Sequence, residues 1–281
     1  MKKLLCVAGF LVLAAGLPLW GYDTSPGSWQ IVPEVIWAAA TGGGTWVTEL
    51  QITNFGPNPV TISLFFDSTA GMDLQAVSIG PIPVNNSVKY SNILATMDAL
   101  DSTAQVYYGL VGGLWLQDES GANKFQVQAQ TVNGNYGKTF PGLNLIEANT
   151  LAMGRPMMIQ GLVRNATYRT SIGVYNTAPF AFTVRLTIYN ATYGVVGAYF
   201  EKSFSAIGFM AFNPFTQAGI TTGDYDNCWL YVEVISGSSG SAQGPMVYGS
   251  IANNYTNDTY ALMAKQYGTG SPALPAPPIR F

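Results

Sequence analysis

Histidine is absent from this sequence of 281 residues, and charged residues make up only 10% of it. A typical soluble domain contains about 25% charged residues. Without histidine the chain cannot form a Ser–His–Asp or Cys–His nucleophile system, and it lacks the commonest metal ligand. It also contains no Gly-x-Ser-x-Gly elbow, no phosphate-binding glycine loop and no cysteine-pair zinc spacing. We therefore expect a protein without enzymatic activity.

Long apolar runs are also scarce, and the one at the N-terminus predicts export. Lys2 and Lys3 precede the run LLCVAGFLVLAAG, which is too short and wrongly flanked for a membrane-spanning helix. We predict a signal peptide over residues 1–21, with cleavage after Gly16 or Gly21. No run of membrane length follows it, so we expect a secreted or cell-surface protein without a membrane span.

Cysteine is nearly absent, with Cys6 and Cys228 the two examples. Cys6 lies in the predicted signal, so its removal would leave Cys228 without a partner for an internal disulfide. Cys228 lies in the apolar run DNCWLYVEV, where a buried hydrophobic role is expected. Stability must then come from the packed core.

The low content of charged residues indicates which classes of binding partner to expect. Removal of the signal would leave ten basic and 15 acidic residues, a net charge of about −5. The absence of basic clusters argues against nucleic-acid binding. A surface with so few charges repels its neighbours weakly, which favours self-association into a homo-oligomer or polymer.

The clearest positive feature is an internal repeat. The stretch GGTWVTELQITNFGPNPVTISLFFDS, residues 43–68, recurs as NATYRTSIGVYNTAPFAFTVRLTIYN, residues 165–190, at a fixed offset of 122. Threonine, asparagine, proline and leucine positions coincide without a gap. The two copies predict a duplication of a unit of domain size.

Within each copy, apolar and polar residues alternate with a period of two. Successive side chains of a strand point to opposite faces, so each copy predicts strands with one buried face. Asn54–Pro59 and Asn176–Ala181 contain turn-forming residues, and we expect each to close a β-hairpin. The outward positions diverge between the copies, so we expect specificity to lie on that outward face.

Further strand-like runs fill both units, and the only helical pattern is SNILATMDAL, residues 91–100. The predicted fold class is all-β, with two tandem antiparallel β-sandwich domains. Additional strands are expected near residues 31–38, 74–79, 103–111, 124–132, 157–163, 195–204, 228–235 and 245–252. The predicted organisation is a signal at 1–21, sandwich domains at 22–150 and 151–268, and a Pro-rich tail at 269–281.

The repeated strand T-[WY]-x-T-x-[LI]-x-[IV]-x-N, followed by a proline turn and a second alternating strand, supports a resemblance. The unit resembles the tandem immunoglobulin-like modules of uncharacterised secreted bacterial proteins over most of residues 31–265. The resemblance implies a fold and supplies no activity or functional residue.

Acidic residues allow two further site hypotheses. A weak Ca²⁺ candidate is formed by Asp224, Asp226 and Asn227, with Asp98 and Asp101 at a comparable place, although these residue types also form ordinary turns. A β-sandwich glycosidase would need two carboxylates at a suitable separation. The available glutamates are Glu34, Glu49, Glu201 and Glu233.

Aromatic residues and sequons complete the candidates. Aromatics make up 13% of the chain, and sugar rings could stack on Trp115, Tyr193 and Tyr255. Possible glycosylation sites, which depend on the host, are Asn85, Asn165, Asn190, Asn254 and Asn257. The favoured function is a secreted, non-catalytic structural subunit of a filament, surface layer or matrix, with contacts through sheet edges and extended termini. The alternatives are a glycan-binding or adhesive module and a carboxylate-dependent glycoside hydrolase.

Overall fold

A computed structural model describes residues 24–40, 43–68, 76–103, 106–144, 155–192, 194–237 and 244–266. The predicted signal peptide and Pro-rich tail lie outside the described residues, as do Tyr193 and most of the connection between the repeats. We refer to residues 24–144 as the N-terminal unit and to residues 155–266 as the C-terminal unit.

The N-terminal unit is one sheet that folds back on itself. Its strands are β1 (Trp29–Ala39), β2 (Thr45–Asn54), β3 (Val60–Ser68), β4 (Val77–Ile82), β5 (Ser87–Tyr90), β6 (Leu110–Asp118), β7 (Phe125–Asn133), β8 (Tyr136–Pro141) and β9 (Leu143–Asn144). They follow the order β4-β3-β6-β1-β2-β7-β8, with β5 on β2 and β9 on β1. Apolar side chains from both ends of this order form a single core, so the layer β4-β3-β6-β1 faces the layer β5-β2-β7-β8.

The C-terminal unit has the same pairing order in two separate sheets. Its strands are β10 (Met157–Arg164), β11 (Tyr168–Asn176), β12 (Phe182–Asn190), β13 (Gly194–Val195), β14 (Phe200–Phe204), β15 (Gly208–Phe212), β16 (Tyr225–Ser236), β17 (Pro245–Asn253), β18 (Thr259–Met263) and β19 (Lys265–Gln266). One sheet runs β13-β12-β16-β10-β19 with β14 on β12, and the other runs β15-β11-β17-β18. The strand pairs given for both units are antiparallel, which confirms the all-β prediction.

Within the described residues, two short helices interrupt the strands. The helix α1 (Ile93–Leu100) confirms the predicted helical segment, and Asn92 caps it by accepting a hydrogen bond from the backbone N–H of Ala95. The helix α2 (Pro214–Gln217) occupies the matching place in the C-terminal unit and is capped by Asn213. Neither of these helices has the length or apolar character needed to cross a membrane.

The predicted hairpins between the repeated strands are wrong. β2 pairs with β1, β5 and β7, whereas β3 pairs with β4 and β6, so consecutive repeated strands lie in opposite layers. β11 and β12 are separated in the same way. The turn after each repeated asparagine is therefore an arch that carries the chain across the core.

The shared asparagine holds this arch in both units. Asn54 is fully buried, and its Nδ2 donates to the carbonyl oxygens of Asn58 and Ile82 at 2.8 and 3.0 Å. Its Oδ1 accepts from the backbone N–H of Gly56 at 2.7 Å. Asn176 repeats the pattern with three equivalent bonds, to the carbonyls of Phe180 and Ser205 and from the N–H of Ala178. These bonds satisfy backbone groups of the arch and tie the arch to a more distant segment of the chain.

The strand predicted at residues 103–111 is also wrong, since the strand in this region is β6. Gly112 and Gly113 weaken the strand pattern of the sequence, yet both lie in the sheet. A β-carbon on Gly112 would overlap the backbone of Asp67 on β3, and one on Gly113 would overlap the ring of Tyr175. Both positions therefore require glycine, because neighbouring atoms approach the backbone too closely to leave room for a β-carbon.

Candidate functional site

The two units pack against each other through a third apolar cluster. The outer face of β1, β3 and β6 meets the outer face of β11, β15 and β17. Its buried members are Ile31, Phe140 and Leu143 from the N-terminal unit and Tyr175, Phe209, Met246 and Tyr248 from the C-terminal unit. The rings of Tyr175 and Trp115 meet edge-on with centroids 6.4 Å apart, and those of Tyr248 and Phe140 are 5.2 Å apart. Area buried in this way fixes the units relative to each other.

Buried polar groups cross the same interface. Glu34 and Lys138 form an ion pair with 2.5 Å between Oε1 and Nζ, and each side chain is only about a tenth exposed. The Tyr248 hydroxyl donates to Glu34 Oε2 at 2.7 Å, and Lys138 Nζ donates to Ser250 Oγ at 3.2 Å. These bonds partner charges that would otherwise be costly to bury.

Both interface tyrosines have perturbed acidity. Burial, followed by the negative charge of Asp67, raises the pKa of the Tyr175 hydroxyl well above its usual value of 10.0. Burial and the charge of Glu34 raise the pKa of Tyr248 in the same direction. The Tyr175 hydroxyl donates to Asp67 Oδ2, so each phenol is held protonated beside a carboxylate.

We expect the free energy of unfolding to fall as the pH rises above about 10, by about 1.4 kcal/mol per pH unit for each of these two tyrosines. When folding raises the pKa of a group, the resulting stability is fully present at pH values below the pKa of the unfolded state. It is lost progressively as the pH rises from that value through the pKa of the folded state. Urea unfolding at pH values from about 8 to 12 measures this slope.

The variants Tyr175→Phe and Tyr248→Phe should each flatten that slope, whereas Tyr255→Phe should not, because Tyr255 is 74% exposed. Equal slopes in all three variants and the parent protein would contradict the assignment.

A cleft of about 370 Å³ opens beside this network, between the units. Glu34, Lys138 and Trp46 line it from the N-terminal unit, and Arg169 and Ser250 line it from the C-terminal unit. Two guanidinium nitrogens of Arg169 donate to the side chains of Asn254 and Asn257 at 3.0 Å, which fixes its position. The cleft is therefore lined by positioned charges and an aromatic ring, the usual content of a small-molecule site.

Two other grooves lie on the units. One of about 240 Å³ is mainly aromatic and is lined by Trp29, Phe65 and Trp115, with Ile207 from the C-terminal unit. The other, of about 330 Å³, lies on the outer face of β2 and β7 and is lined mainly by glutamine and threonine side chains.

The predicted sugar-stacking residues are not brought together. Trp115 is half-buried in the inter-unit interface, where it also meets Trp29 edge-on at 6.1 Å. Tyr255 is exposed in the turn between β17 and β18. Tyr193 lies outside the described residues.

Among the Ca²⁺ candidates, Asp226 and Asp101 accept hydrogen bonds from neighbouring protein groups. Asp226 Oδ1 accepts from Asn165 Nδ2 at 2.8 Å, Asp224 is exposed, and Asn227 has a positive φ of 53°. Asp101 accepts bonds from Thr103 and the Tyr107 hydroxyl, and these bonds, the Thr103 hydroxyl first, lower its pKa. The described residues contain no group of three or more His, Cys, Asp and Glu side chains that could hold a metal ion.

The sequons differ in accessibility. Asn85 is exposed, whereas Asn190 is buried and its Nδ2 donates to the carbonyl of Asp226 at 2.7 Å. The Nδ2 groups of Asn165 and Asn254 also donate to protein oxygens, and Asn257 accepts from Arg169. A glycan on Nδ2 would disturb the bond at Asn190, Asn165 or Asn254.

The four glutamates each lie near a cation. Glu34 pairs with Lys138, Glu49 pairs with Lys89 at 2.7 Å, and Glu201 and Glu233 flank Arg185 at 2.9 and 3.8 Å. Each of the three clefts described above contains at most one carboxylate. The acid pair that a glycosidase requires is not present in them.

Sequence reasoning missed Lys138, Tyr175 and Tyr248. A signal was present in the repeat: the outward residues Gln126, Gln128 and Gln130 of β7 correspond to Met246, Tyr248 and Ser250 of β17, as their pairing with β2 and β11 shows. Polar residues replaced by apolar ones at outward positions indicate a face that is covered in one unit only.

Comparison with known proteins supplies no family: the sequence matches no protein-family model and no curated protein.

Proposed function

We propose that this protein is a secreted, non-catalytic structural subunit of an extracellular assembly, built from two duplicated immunoglobulin-like modules. The observation that carries the proposal is the way the units pack. The N-terminal unit uses its β1-β3-β6 face, and the C-terminal unit uses the opposite face of its repeat, formed by β11, β15 and β17. Contact between unlike faces is heterologous, and heterologous contacts can continue from molecule to molecule.

Each unit has a second outer face, equivalent to the face that the other unit uses in the contact between the units. The N-terminal unit retains the outer face of β5-β2-β7-β8, with Gln51, Gln128 and Lys89 in register across three strands. The C-terminal unit retains the outer face of β12, β16 and β10, where Tyr189 stacks on Trp229 at 5.8 Å. These faces are the equivalents of the two that meet inside the molecule, so the second unit of one copy can receive the first unit of the next.

The composition of these faces suits a reversible contact. The glutamine-rich face is polar, whereas the other carries tyrosine, tryptophan and arginine, which are enriched in protein interfaces. Residues 22–150 contain three basic and ten acidic residues, whereas residues 156–268 contain five of each. Head-to-tail contact is therefore less repulsive than contact between two N-terminal units.

The pairing order supports the immunoglobulin-like assignment at its central strands, although the first and last strands are exchanged and β4 lies beside β3 and not beside β5. Immunoglobulin sheets place strand B beside E and strand C beside F. Here β2 lies beside β5 and β3 beside β6. In the immunoglobulin order the first strand lies beside B and the last strand lies beside F. Here these two positions are exchanged: the later strand β7 lies beside β2, and the first strand β1 lies beside β6. The C-terminal unit repeats this exchange with β17 and β10.

We expect the mean mass of purified residues 22–281 to rise with concentration in multi-angle light scattering. A cysteine introduced by Gln128→Cys and labelled with a bulky maleimide–polyethylene glycol should block this rise, because Gln128 is on the outer face of β7. The native Cys228 is buried and should not react.

The matched control is Ala122→Cys with the same label, since Ala122 is exposed in the turn between β6 and β7. A protein that stays monomeric at the highest concentration reached, with or without Ca²⁺, would overturn the proposal. Equal association of the two labelled variants would overturn the assigned face.

A further inference from the structure

We propose that the cleft between the units binds an acidic saccharide, with Arg169 and Lys138 facing its carboxylate and Trp46 facing a sugar ring. This binding site goes beyond the structural role proposed above and does not depend on it. At about 370 Å³, the cleft is within the range of roughly 300–1,000 Å³ typical of small-molecule sites.

The charges lining the cleft favour an anionic group. Two cations, Lys138 and Arg169, and one carboxylate, Glu34, line it. Both oxygens of Glu34 already accept short bonds, from Lys138 at 2.5 Å and from Tyr248 at 2.7 Å. Two cations and one carboxylate give the lining a net charge of +1, and an anionic ligand rich in acceptor oxygens fits this charge.

Arg169 is positioned before any ligand arrives. Its side chain donates to Asn254 and Asn257 in the turn between β17 and β18, and this turn is itself tied to the chain before β11 through Asn254 Nδ2 and the carbonyl of Ala166. A cation held in this way loses little conformational freedom on binding, which increases affinity.

Neutral groups in the cleft fit the rest of a saccharide. Ser171 and Ser250 line it and can bond sugar hydroxyls, and the indole of Trp46 offers an apolar surface. These groups supply hydrogen-bonding partners and a stacking surface in the same cleft as the cations.

The duplication gives an independent argument. Strand pairing shows which positions of the two units are equivalent. The position of Arg169 is equivalent to that of Val47, the position of Lys138 to that of Tyr260, and the position of Glu34 to that of Gly161. A scaffold role common to both units would be expected in both copies. These three charges occur once each, and all three line the same cleft of about 370 Å³.

Isothermal titration calorimetry with tetragalacturonate tests the proposal. We expect saturable binding, with at least tenfold weaker binding of the neutral cellotetraose and no comparable binding of sulfate alone. Equal affinity for cellotetraose would overturn the acidic specificity. Equal affinity for sulfate would mean a simple anion site, and no heat of binding with about 10 mM tetragalacturonate would overturn the proposal outright.

Variants locate the site. Arg169→Gln should weaken tetragalacturonate binding about tenfold, and Trp46→Ala should weaken it several-fold without removing a charge. The control is Arg164→Gln, because Arg164 is a similar arginine that donates to the carbonyls of Gly223 and Thr221 outside the cleft. If Arg169→Gln disturbs folding, Trp46→Ala still decides, and unchanged affinity in a folded Trp46→Ala protein would overturn the assigned site.

Discussion

Replacing Asn54 or Asn176 with alanine should lower the free energy of unfolding by about 3 kcal/mol at either site. Each asparagine donates one hydrogen bond and accepts one within its own arch, and donates a second to a carbonyl outside it, that of Ile82 or Ser205. Both residues are fully buried, so water cannot replace the lost partners without opening the arch. Three backbone groups in each unit would be left unsatisfied.

Urea unfolding of the two variants measures this effect. The control is Asn133→Ala, which removes one exposed bond to the carbonyl of Gly43 and should cost about 0.5 kcal/mol. The variant Asn54→Asp keeps the acceptor but places a buried carboxylate oxygen against the carbonyl oxygens of Asn58 and Ile82, so it should be no more stable than Asn54→Ala. Equal stability of Asn54→Ala and Asn133→Ala would contradict this account of the repeat.

The shared threonine supports the same interpretation of the repeat. Thr48 Oγ1 accepts from the backbone N–H of Ile36 at 2.8 Å, and Thr170 Oγ1 accepts from that of Val163 at 3.0 Å. Each bond lies near a register shift in the first strand of its unit, where ladder bonds are interrupted. The repeated polar residues therefore satisfy irregular backbone, and this explains why they recur with the fold.

The sequence was sufficient to predict the all-β class and which side of each repeated strand is buried. In β2 the alternating residues Thr48, Leu50 and Ile52 are fully buried, as the period of two indicates. The period of two does not indicate which other strand pairs with each repeated strand. A tight turn and an arch can use the same residue types, so the choice between them depends on partners distant in the chain.

The cleft could not be predicted, because it depends on which faces of the two units meet. Gly113 and Tyr175 lie 62 positions apart and only the folded chain brings the ring over the glycine. Arg169 was visible as an outward residue that differs between the copies, but nothing in one chain indicates that Lys138 and Glu34 lie nearby. Divergence locates a candidate surface, and tertiary packing decides its chemistry.

Replacing Glu34 with alanine should lower the free energy of unfolding by about 3 kcal/mol or more, because Lys138 would keep a buried charge without its counter-ion. Lys138 is 11% exposed and would retain only its described bond to Ser250, while the Tyr248 hydroxyl would lose its acceptor. Urea unfolding at neutral pH is the measurement.

A matched comparison separates burial from charge pairing. Glu49→Ala removes a Glu–Lys pair of similar length, 2.7 Å, whose Lys89 is 59% exposed, and it should cost about 1 kcal/mol or less. The triple variant Glu34→Leu, Lys138→Met and Tyr248→Phe should recover most of the stability lost in Glu34→Ala, since no buried charge of the network is then left unpaired. Similar losses in Glu34→Ala and Glu49→Ala would mean that water reaches the inter-unit network, and the rigid attachment of the two units would then rest on the apolar cluster alone.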